Sequence, residues 1–358
     1  MQVEIVPVWR FRKSPDDAPM LVMLDFLNEI RATGKITRAA EQAQISYRHA
    51  WNLIEKWSDF FGTPLVDRRR GRGTTLTLFG ERLVWAGQRL NARLMPQLTN
   101  LTQELEAELA EFLPQAPAAI RVHASHGFAV ERLQEILGRD GEVSVDLRYV
   151  SNETSLAALK RGECDLAGLH LPQGPLRAAA LEESSRWLTP DRHRVISFVT
   201  REMGLMVQRG NPLGIGGVAD LCRPDIRFVG RDPASGTAQL FAQVLAQHGI
   251  DRDEIGGGHP PIEFTHAAVA AYVASSMADV SFGVEAAARQ FNLDFVRLVT
   301  EDYVFVCREK LLETRAMERV IAVMQSPEFR AAVAVLPGYV AKDTGDAKPV
   351  RDIFDLPH

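Results

Sequence analysis

Residues 33–83 read TGKITRAAEQAQISYRHAWNLIEKWSDFFGTPLVDRRRGRGTTLTLFGERL, and their succession of helix caps, turn and basic tip decides how the first part of the chain folds. Gly34 closes a helix over about residues 20–32, where Leu21, Leu24, Leu27 and Ile30 form an apolar stripe at helical spacing. Thr37 is expected to cap a short helix, TRAAEQAQ, and Ser46 a longer one, YRHAWNLIEKWSDFF. Along the longer helix Ala50, Leu53, Ile54, Trp57 and Phe61 share one face at steps of three and four. The opposite face presents Tyr47, Arg48, Asn52 and Lys56. Beyond Gly62, the apolar pairs Leu65-Val66 and Leu76-Leu78 flank an Arg/Gly tip, which predicts a β-hairpin.

Upstream of this block, VEIVPVWRF (residues 3–11) predicts a short strand. Downstream, a long helix opens at Phe79-Gly80, and Leu83, Leu90, Leu94, Leu98, Leu101, Leu105 and Leu109 recur along it at spacings of seven, four and three. Such a seam has no partner within a small domain, which points to helix pairing between two chains; burial within this same chain is the alternative. Pro96 is expected to kink this helix or divide it in two. PQAPAA (residues 114–119) is a Pro/Ala linker, after which the pattern changes. IRVHAS, VSVDLRYV, CDLAGLHL, VISFV, GLMVQR, IRFVGR and ADVSFG are strand candidates, with AVERLQEILGR, SLAALKRG, AQLFAQVLAQHG, HAAVAAYVASS and EAAARQF as amphipathic helices between them. This alternation predicts a mainly parallel sheet covered by helices, with enough elements for two small α/β lobes.

The fold class expected is therefore α/β with an all-α-rich N-terminal domain. Its parts are a winged helix-turn-helix over residues 1–80, a linker helix with its Pro/Ala segment over 81–119, a two-lobed sensing domain over 120–340 and a polar tail over 341–358. A chain of 358 residues is too long for one ordinary core, which agrees with two domains. Hydrophobic residues make up 46% and charged residues 24%, the balance of a soluble globular protein. No run of 18 apolar residues offers a membrane span, and MQVEIVPVWRFRKSPDD has no apolar core of signal-peptide length, so a cytoplasmic protein without membrane contact is expected. Cys164, Cys222 and Cys307 are widely spaced and odd in number, which is neither a disulfide framework nor zinc-ligand spacing.

The net charge of −5 hides an asymmetry. From Arg31 to Arg93 there are twelve Lys/Arg against five Asp/Glu, a net +7, and the remainder carries −12. A basic block on an acidic body suggests that one module meets phosphate and the other does not. Three short helices, a tight turn and a basic wing serve one common purpose, in which the third helix enters the major groove of double-stranded operator DNA. Arg48 can pair with guanine and Asn52 with adenine, while Ser46 and Tyr47 suit phosphate. Thr37, His49 and Lys56 complete the DNA-facing set on the helices, and Arg68, Arg69, Arg70 and Arg72 would lie along the backbone or a minor groove. A helical bundle with an incidental Arg-rich loop is the plainer alternative.

Residues 33–83 resemble the N-terminal domain of ModE-type and LysR-type regulators, and SYRHAW followed by PLVDRRRGRG and TLTLFGERL is closer to ModE than to LysR proteins. The resemblance covers about residues 1–112 and implies a homodimer, or a higher homo-oligomer, on a roughly palindromic operator. ModE proteins usually carry small oligosaccharide-binding-type barrels for molybdate, and nothing after residue 120 resembles them. Residues 120–340 instead resemble a type 2 periplasmic-binding-protein fold of the molybdate-binding type. The segments that carry this are IRVHASHG, SLAALKRGECDLAGLHL, RFVGRDPASGTAQLF and THAAVAAYVASSMADVSFGVEAAA. That fold implies two lobes closing on a small ligand.

In such a fold each strand-to-helix junction points backbone N–H groups and a helix N-terminus at the cleft. Ser125-His126-Gly127 ends the first strand of the domain, Thr154-Ser155 is expected to cap the next helix, Ser235-Gly236-Thr237 precedes AQLFAQVL with Arg231 just upstream, and Thr265-His266 opens HAAVAAYV. With His170, these residues form the candidate site for a small anion. Ser and Thr are also ordinary helix caps, so each of these positions has a purely structural explanation. The resemblance makes molybdate or tungstate the leading effector, and a small carboxylate such as formate suits the same donors. Arg231 pointing into the cleft would favour a carboxylate or larger anion; a site of hydroxyls and N–H groups alone would favour molybdate.

Enzyme motifs are lacking: no GxxxxGK[ST], GxSxG or HExxH, and no Cys-His-Asp set at known spacing. No catalytic residue, metal site or cofactor is expected. GGGHPP at residues 256–261 reads as a loop, and Ser125-His126 is no nucleophile–base pair because strand neighbours point to opposite faces. A non-regulatory intracellular oxyanion-binding protein with a helical oligomerisation domain is the remaining alternative.

Overall fold

The computed structural model describes residues 3, 5–8, 10–11, 20–69, 73–110, 119–256 and 261–354, and divides into one unit of Val6–Leu94 and another of Met1–Ile5 with Met95–His358. The first unit holds α1 (Met20–Thr33), α2 (Ile36–Gln42) and α3 (Tyr47–Phe61), then β1 (Val66–Arg69) and β2 (Gly73–Leu76), and the start of α4 (Leu78–Ala110). Leu27, Ile30, Ala50, Ile54, Trp57 and Leu65 are fully enclosed in its core, so the apolar stripes expected of α1 and α3 do face inward. The hairpin forms in the register Val66↔Leu76 to Arg69↔Gly73. Three details differ from the sequence reading. The described residues of the 3–11 segment form no strand. Thr37 is not a cap: Ile36, a core residue, starts α2 one position earlier with Lys35 before it, and Thr37 lies exposed in the first turn. And Pro96 does not divide α4, which runs for 33 residues through it, a helix long enough to absorb the loss of one N–H donor.

Ser46 caps α3 as expected, its hydroxyl accepting from His49 N at 3.2 Å. Along α4, Leu83 is buried, whereas Leu90, Leu94, Leu101, Leu105 and Leu109 are between 36% and 52% exposed. This chain alone leaves those five leucines uncovered.

The second unit is built on β3 (Ala119–Ala124), β4 (Ser144–Tyr149), β5 (Leu166–Pro172), β6 (His193–Val207), β7 (Phe228–Arg231), β8 (Ile262–Glu263), β9 (Val280–Val284), β10 (Asp294–Arg308), β11 (Tyr339–Val340) and β12 (Ala347–Pro349). Its helices are α5 (Phe128–Asp140), α6 (Asn152–Arg161), α7 (Arg177–Ser185), α8 (Gly236–Gln247), α9 (His266–Ala274), α10 (Glu285–Gln290), α11 (Arg315–Met324) and α12 (Pro327–Ala334). Strand order is β4-β3-β5-β10-β6-β9-β7-β8, with β11 and β12 added on β6. The sheet is mixed rather than mainly parallel. β4, β3 and β5 run parallel in one lobe and β9, β7 and β8 in the other, and the antiparallel β10 and β6 join the two.

VISFV and GLMVQR are thus one strand, β6, of 15 residues, and the polar Thr200-Arg201-Glu202 between them is interior to it. β10, also 15 residues, has no counterpart among the expected strands, because Arg297, Glu301 and Asp302 interrupt its apolar pattern. Both strands tolerate charge because Arg201 meets Glu301 and Glu202 meets Arg297 across them, while Asp302 pairs with Arg177 of α7. The polar C-terminal segment also belongs to the architecture: β12 pairs with β6, and Val350 and Phe354 are buried in the core of the first lobe.

Candidate functional site

The C-terminal ends of β3, β4, β7 and β8 each give way to a helix start, and these junctions build a cleft between the two lobes. At the first, Gly127 precedes α5, and Ser125 N donates to the Tyr303 hydroxyl at 3.1 Å. At the second, Ser151 rather than Thr154 or Ser155 caps α6, accepting from Thr154 N at 3.2 Å. The helix begins at Asn152, which leaves Thr154 exposed in its first turn. Ser155 is fully buried and donates to the His123 carbonyl at 2.7 Å, so its hydroxyl ties α6 to β3 instead of facing a ligand.

In the second lobe Ser235 caps α8, accepting from Ala238 N and donating to the Asp232 carbonyl at 2.6 Å, which commits its hydroxyl to the loop. Thr265 caps α9 as expected. Gly236 lies so close to Asn152 that a Cβ there would stand 2.9 Å from the Asn152 amide nitrogen. Its lack of a side chain is what lets the two lobes approach at this point.

The centre of the cleft is cationic. Arg231, His170 and His266 are all more than nine-tenths buried. Nη2 of Arg231 donates to the Phe264 carbonyl at 2.9 Å, but its Nε and Nη1 have no hydrogen-bond partner among the described residues. Both ring nitrogens of His170 and Nδ1 of His266 are likewise without a hydrogen bond, while His266 Nε2 lies 3.3 Å from the buried Thr237 hydroxyl. Burial, followed by the charge of Arg201, pushes the Arg231 guanidinium down to about 9, so it is still charged near neutral pH. Burial and the nearby Arg201 and Arg231 hold both imidazoles well below the usual histidine range, so both are neutral there.

His126 stands aside from this centre, paired with Glu131 at 2.9 Å and packed on the Tyr149 ring. Ser125 keeps its hydroxyl within 3.5 Å of the Asn152 side-chain oxygen and within 3.4 Å of the Val150 carbonyl. Of the eleven expected ligand residues, the structure gathers His170, Arg231, Thr237 and His266 into the buried centre, with Ser125 and Gly236 at its edge. Four further residues belong here that sequence reasoning missed: Arg201, Glu301, Tyr303 and Asn152. Arg201 and Glu301 form a fully buried ion pair at 2.7 Å. Tyr303 packs on the His170 ring at 4.0 Å between centroids. Room for its hydroxyl exists only because Gly168 has no Cβ, which would fall 2.6 Å from it. The signal for the pair was present, as short charged interruptions, Arg201-Glu202 and Glu301-Asp302, between apolar stretches.

On the first unit, Tyr47, Arg48, His49, Asn52 and Lys56 are exposed along α3, and Arg48, Asn52 and Lys56 recur four residues apart on one face. Arg68 and Arg69 lie on β1; Arg70 and Arg72 fall outside the described residues, as does His259. Among the described residues no helix is long and apolar enough to cross a membrane, and no group of three His, Cys, Asp or Glu is placed to hold a metal ion.

With two lobes, two long crossing strands and four helix starts around one cleft, the fold can be compared with known families. A model described as the PBP superfamily domain matches residues 133–325, more than half of the chain. The chain belongs to the PBP superfamily. Residues 21–81 match the bacterial regulatory helix-turn-helix protein family, lysR type, so a LysR-type helix-turn-helix is fused to a PBP-like domain. The uncharacterized protein YvgK of Bacillus subtilis is 32% identical over 198 residues, 55% of this chain and 63% of that protein. The transcriptional regulator ModE of Haemophilus influenzae is 39% identical over 62 residues, 16% of this chain and 24% of that protein. The chain thus spans less than two thirds of the length of either relative. A solved OxyR from Corynebacterium glutamicum has 14% identity and a TM-score of 0.45, covering 90% of this chain and 95% of that one.

Proposed function

We propose that this chain is a cytoplasmic, DNA-binding transcription regulator that acts as a homodimer and responds to a small anion held between the lobes of its PBP-like domain. What carries the effector half is Arg231, a guanidinium buried with two of its three nitrogens unpartnered. A buried charge without a partner costs far more than it returns unless something pairs with it. An anion against Arg231, with His170, His266 and Thr237 around it, supplies that partner. The DNA half rests on the helix-turn-helix match and on the exposed Arg48–Asn52–Lys56 face of α3. The uncovered leucines of α4 offer the dimer seam.

Molybdate and tungstate lead as effectors because the helix-turn-helix region resembles ModE proteins, among them one named as a molybdenum transport protein from Azotobacter vinelandii. Arg231 itself favours the second reading, a small carboxylate such as formate, since a single fixed positive charge matches a monoanion. Coupling to DNA requires that the anion bind two states of the dimer with different affinity. Thermal unfolding of the full chain against molybdate, tungstate, sulfate, formate and larger carboxylates tests the reading. An effector at a hundred times its dissociation constant should add roughly 2.7 kcal/mol. The same anion should change the affinity of the chain for operator DNA, and that affinity should fall steeply with salt. Salt-insensitive DNA binding would sink the regulator; no response to any anion would sink the effector.

A further inference from the structure

We propose that His170 and His266 are the adjustable charges of the cleft: Arg231 supplies one fixed positive charge, and each further negative charge on the ligand draws one proton onto these rings. This rests on the anion reading of the same cleft. Its basis is geometric. Buried imidazoles ordinarily have both nitrogens satisfied, with the partner of one setting the tautomer of the other. Here three ring nitrogens on two residues lack a hydrogen bond, and both rings lie within electrostatic reach of Arg231, whose Nε and Nη1 are also unpartnered. The free N–H groups of Arg231 are donors without an acceptor, and a ring nitrogen that takes up a proton joins them as a further donor toward an oxyanion.

The surroundings define the charge balance. His170 faces Tyr303 and Glu301 on β10, with Glu301 Oε2 3.5 Å from its Nδ1, and it feels Arg201 on β6 and Arg231 on β7. His266 faces Thr237 on α8 and feels Arg231, Arg201, His126 and His170. Glu301 cancels Arg201 through their ion pair. Arg231 has Asp232 beside it and the buried Glu263 opposite it on β8, yet neither carboxylate takes its Nε or Nη1, which remain the donors to be met. A monoanion meets them and leaves both rings neutral. A dianion leaves one negative charge buried, and the unpartnered imidazoles are the groups beside it that can take up a proton and become donors. The structure thereby makes the cleft tolerant of either anion class, with a different pH dependence for each: affinity for a dianion should rise by about tenfold per pH unit of acidification while one proton is taken up, and affinity for a monoanion should stay flat.

Titration calorimetry of the full chain with molybdate and with formate, in two buffers of different ionisation enthalpy, counts the protons. Uptake close to one with molybdate and close to zero with formate is the expected result. Histidine ring resonances of the 15N-histidine-labelled chain should show the imidazolium form on adding molybdate, without any substitution. H170Q and H266Q then assign the proton. Molybdate binding with no proton uptake overturns the inference, as does uptake that persists in the double variant, which would move the proton to Glu301. Formate binding with no molybdate binding even near pH 6 overturns it too. If neither anion binds the wild type, the anion reading of the cleft falls first and this inference with it.

Discussion

Arg201 on β6 and Glu301 on β10 stand directly opposite each other in the antiparallel ladder, and one carboxylate oxygen, Oε2, accepts from both Nε and Nη2 of the guanidinium at 2.7 Å. Each side chain is 1% exposed. Burial pushes the Glu301 carboxyl up, while Arg201 beside it pulls it down. The two longest strands of the sheet thus each bring one charge to the middle of the domain, where the pair cancels and leaves Arg231 to define the field of the cleft.

Breaking that pair should be costly although the pair itself adds little net stability. Glu301→Gln or Arg201→Met each leaves an uncompensated buried group, for an expected loss of about 3–5 kcal/mol. The double variant Arg201→Met/Glu301→Leu should recover most of it. Urea unfolding of the three variants decides the matter, and single-variant losses below about 1 kcal/mol, the range of an exposed pair, would contradict the buried geometry.

Arg231→Met should behave in the opposite way. It removes a buried charge that lacks a partner and gives up one hydrogen bond to the Phe264 carbonyl, worth about 1 kcal/mol. Stability without added anion should match or exceed that of the wild type, and stabilisation by any anion should vanish. A large loss of stability in the variant would make Arg231 a structural residue.

Acid should weaken the fold. His123, His170, His193 and His266 are all held below the ordinary histidine value of 6.5, chiefly by burial. Below 6.5 the unfolded chain therefore binds more protons at these positions than the folded one. Stability should fall as pH drops from about 6.5 toward about 5, and the slope should flatten in H170Q. Urea midpoints measured across that range show it; a midpoint independent of pH would mean that the rings are accessible to water or paired.

Two arginines of the first unit should differ in what they do to DNA binding. Arg48→Ala, on the exposed face of α3, should reduce operator discrimination by about 1–3 kcal/mol. Arg70→Ala, in the basic Arg/Gly stretch of the sequence, should weaken binding to all sequences alike and lower the salt slope by about one. A footprint unchanged by Arg48→Ala would mean that α3 is not the helix that reads bases.

The helix-turn-helix was legible because its signals are local: the Ser46 cap, the inward stripe of Ala50, Ile54 and Trp57, and the Arg/Gly hairpin tip each act within a few residues. Thr37 misled because the burial of Ile36, a tertiary demand, moved the start of α2. Thr154 and Ser155 misled because any of several hydroxyls could cap α6, and Ser151 does. His170, Arg231, Thr237 and His266 were identifiable as residues at strand ends or helix starts. Their convergence was not, since it depends on which strands the sheet sets side by side.

By itself the sequence determined the helix-turn-helix, the hairpin, the two-module plan and the placement of polar groups at strand-to-helix junctions, because caps, turns and hydrophobic periods act over short stretches of chain. Tertiary structure alone decided that β6 and β10 run as single long strands through charged residues, since only the pairing of Arg201 with Glu301 across 100 positions of sequence makes those charges tolerable in a core. It also decided which buried cation remains unpaired. That choice depends on desolvation and on partner geometry, neither of which can be read from the order of residues.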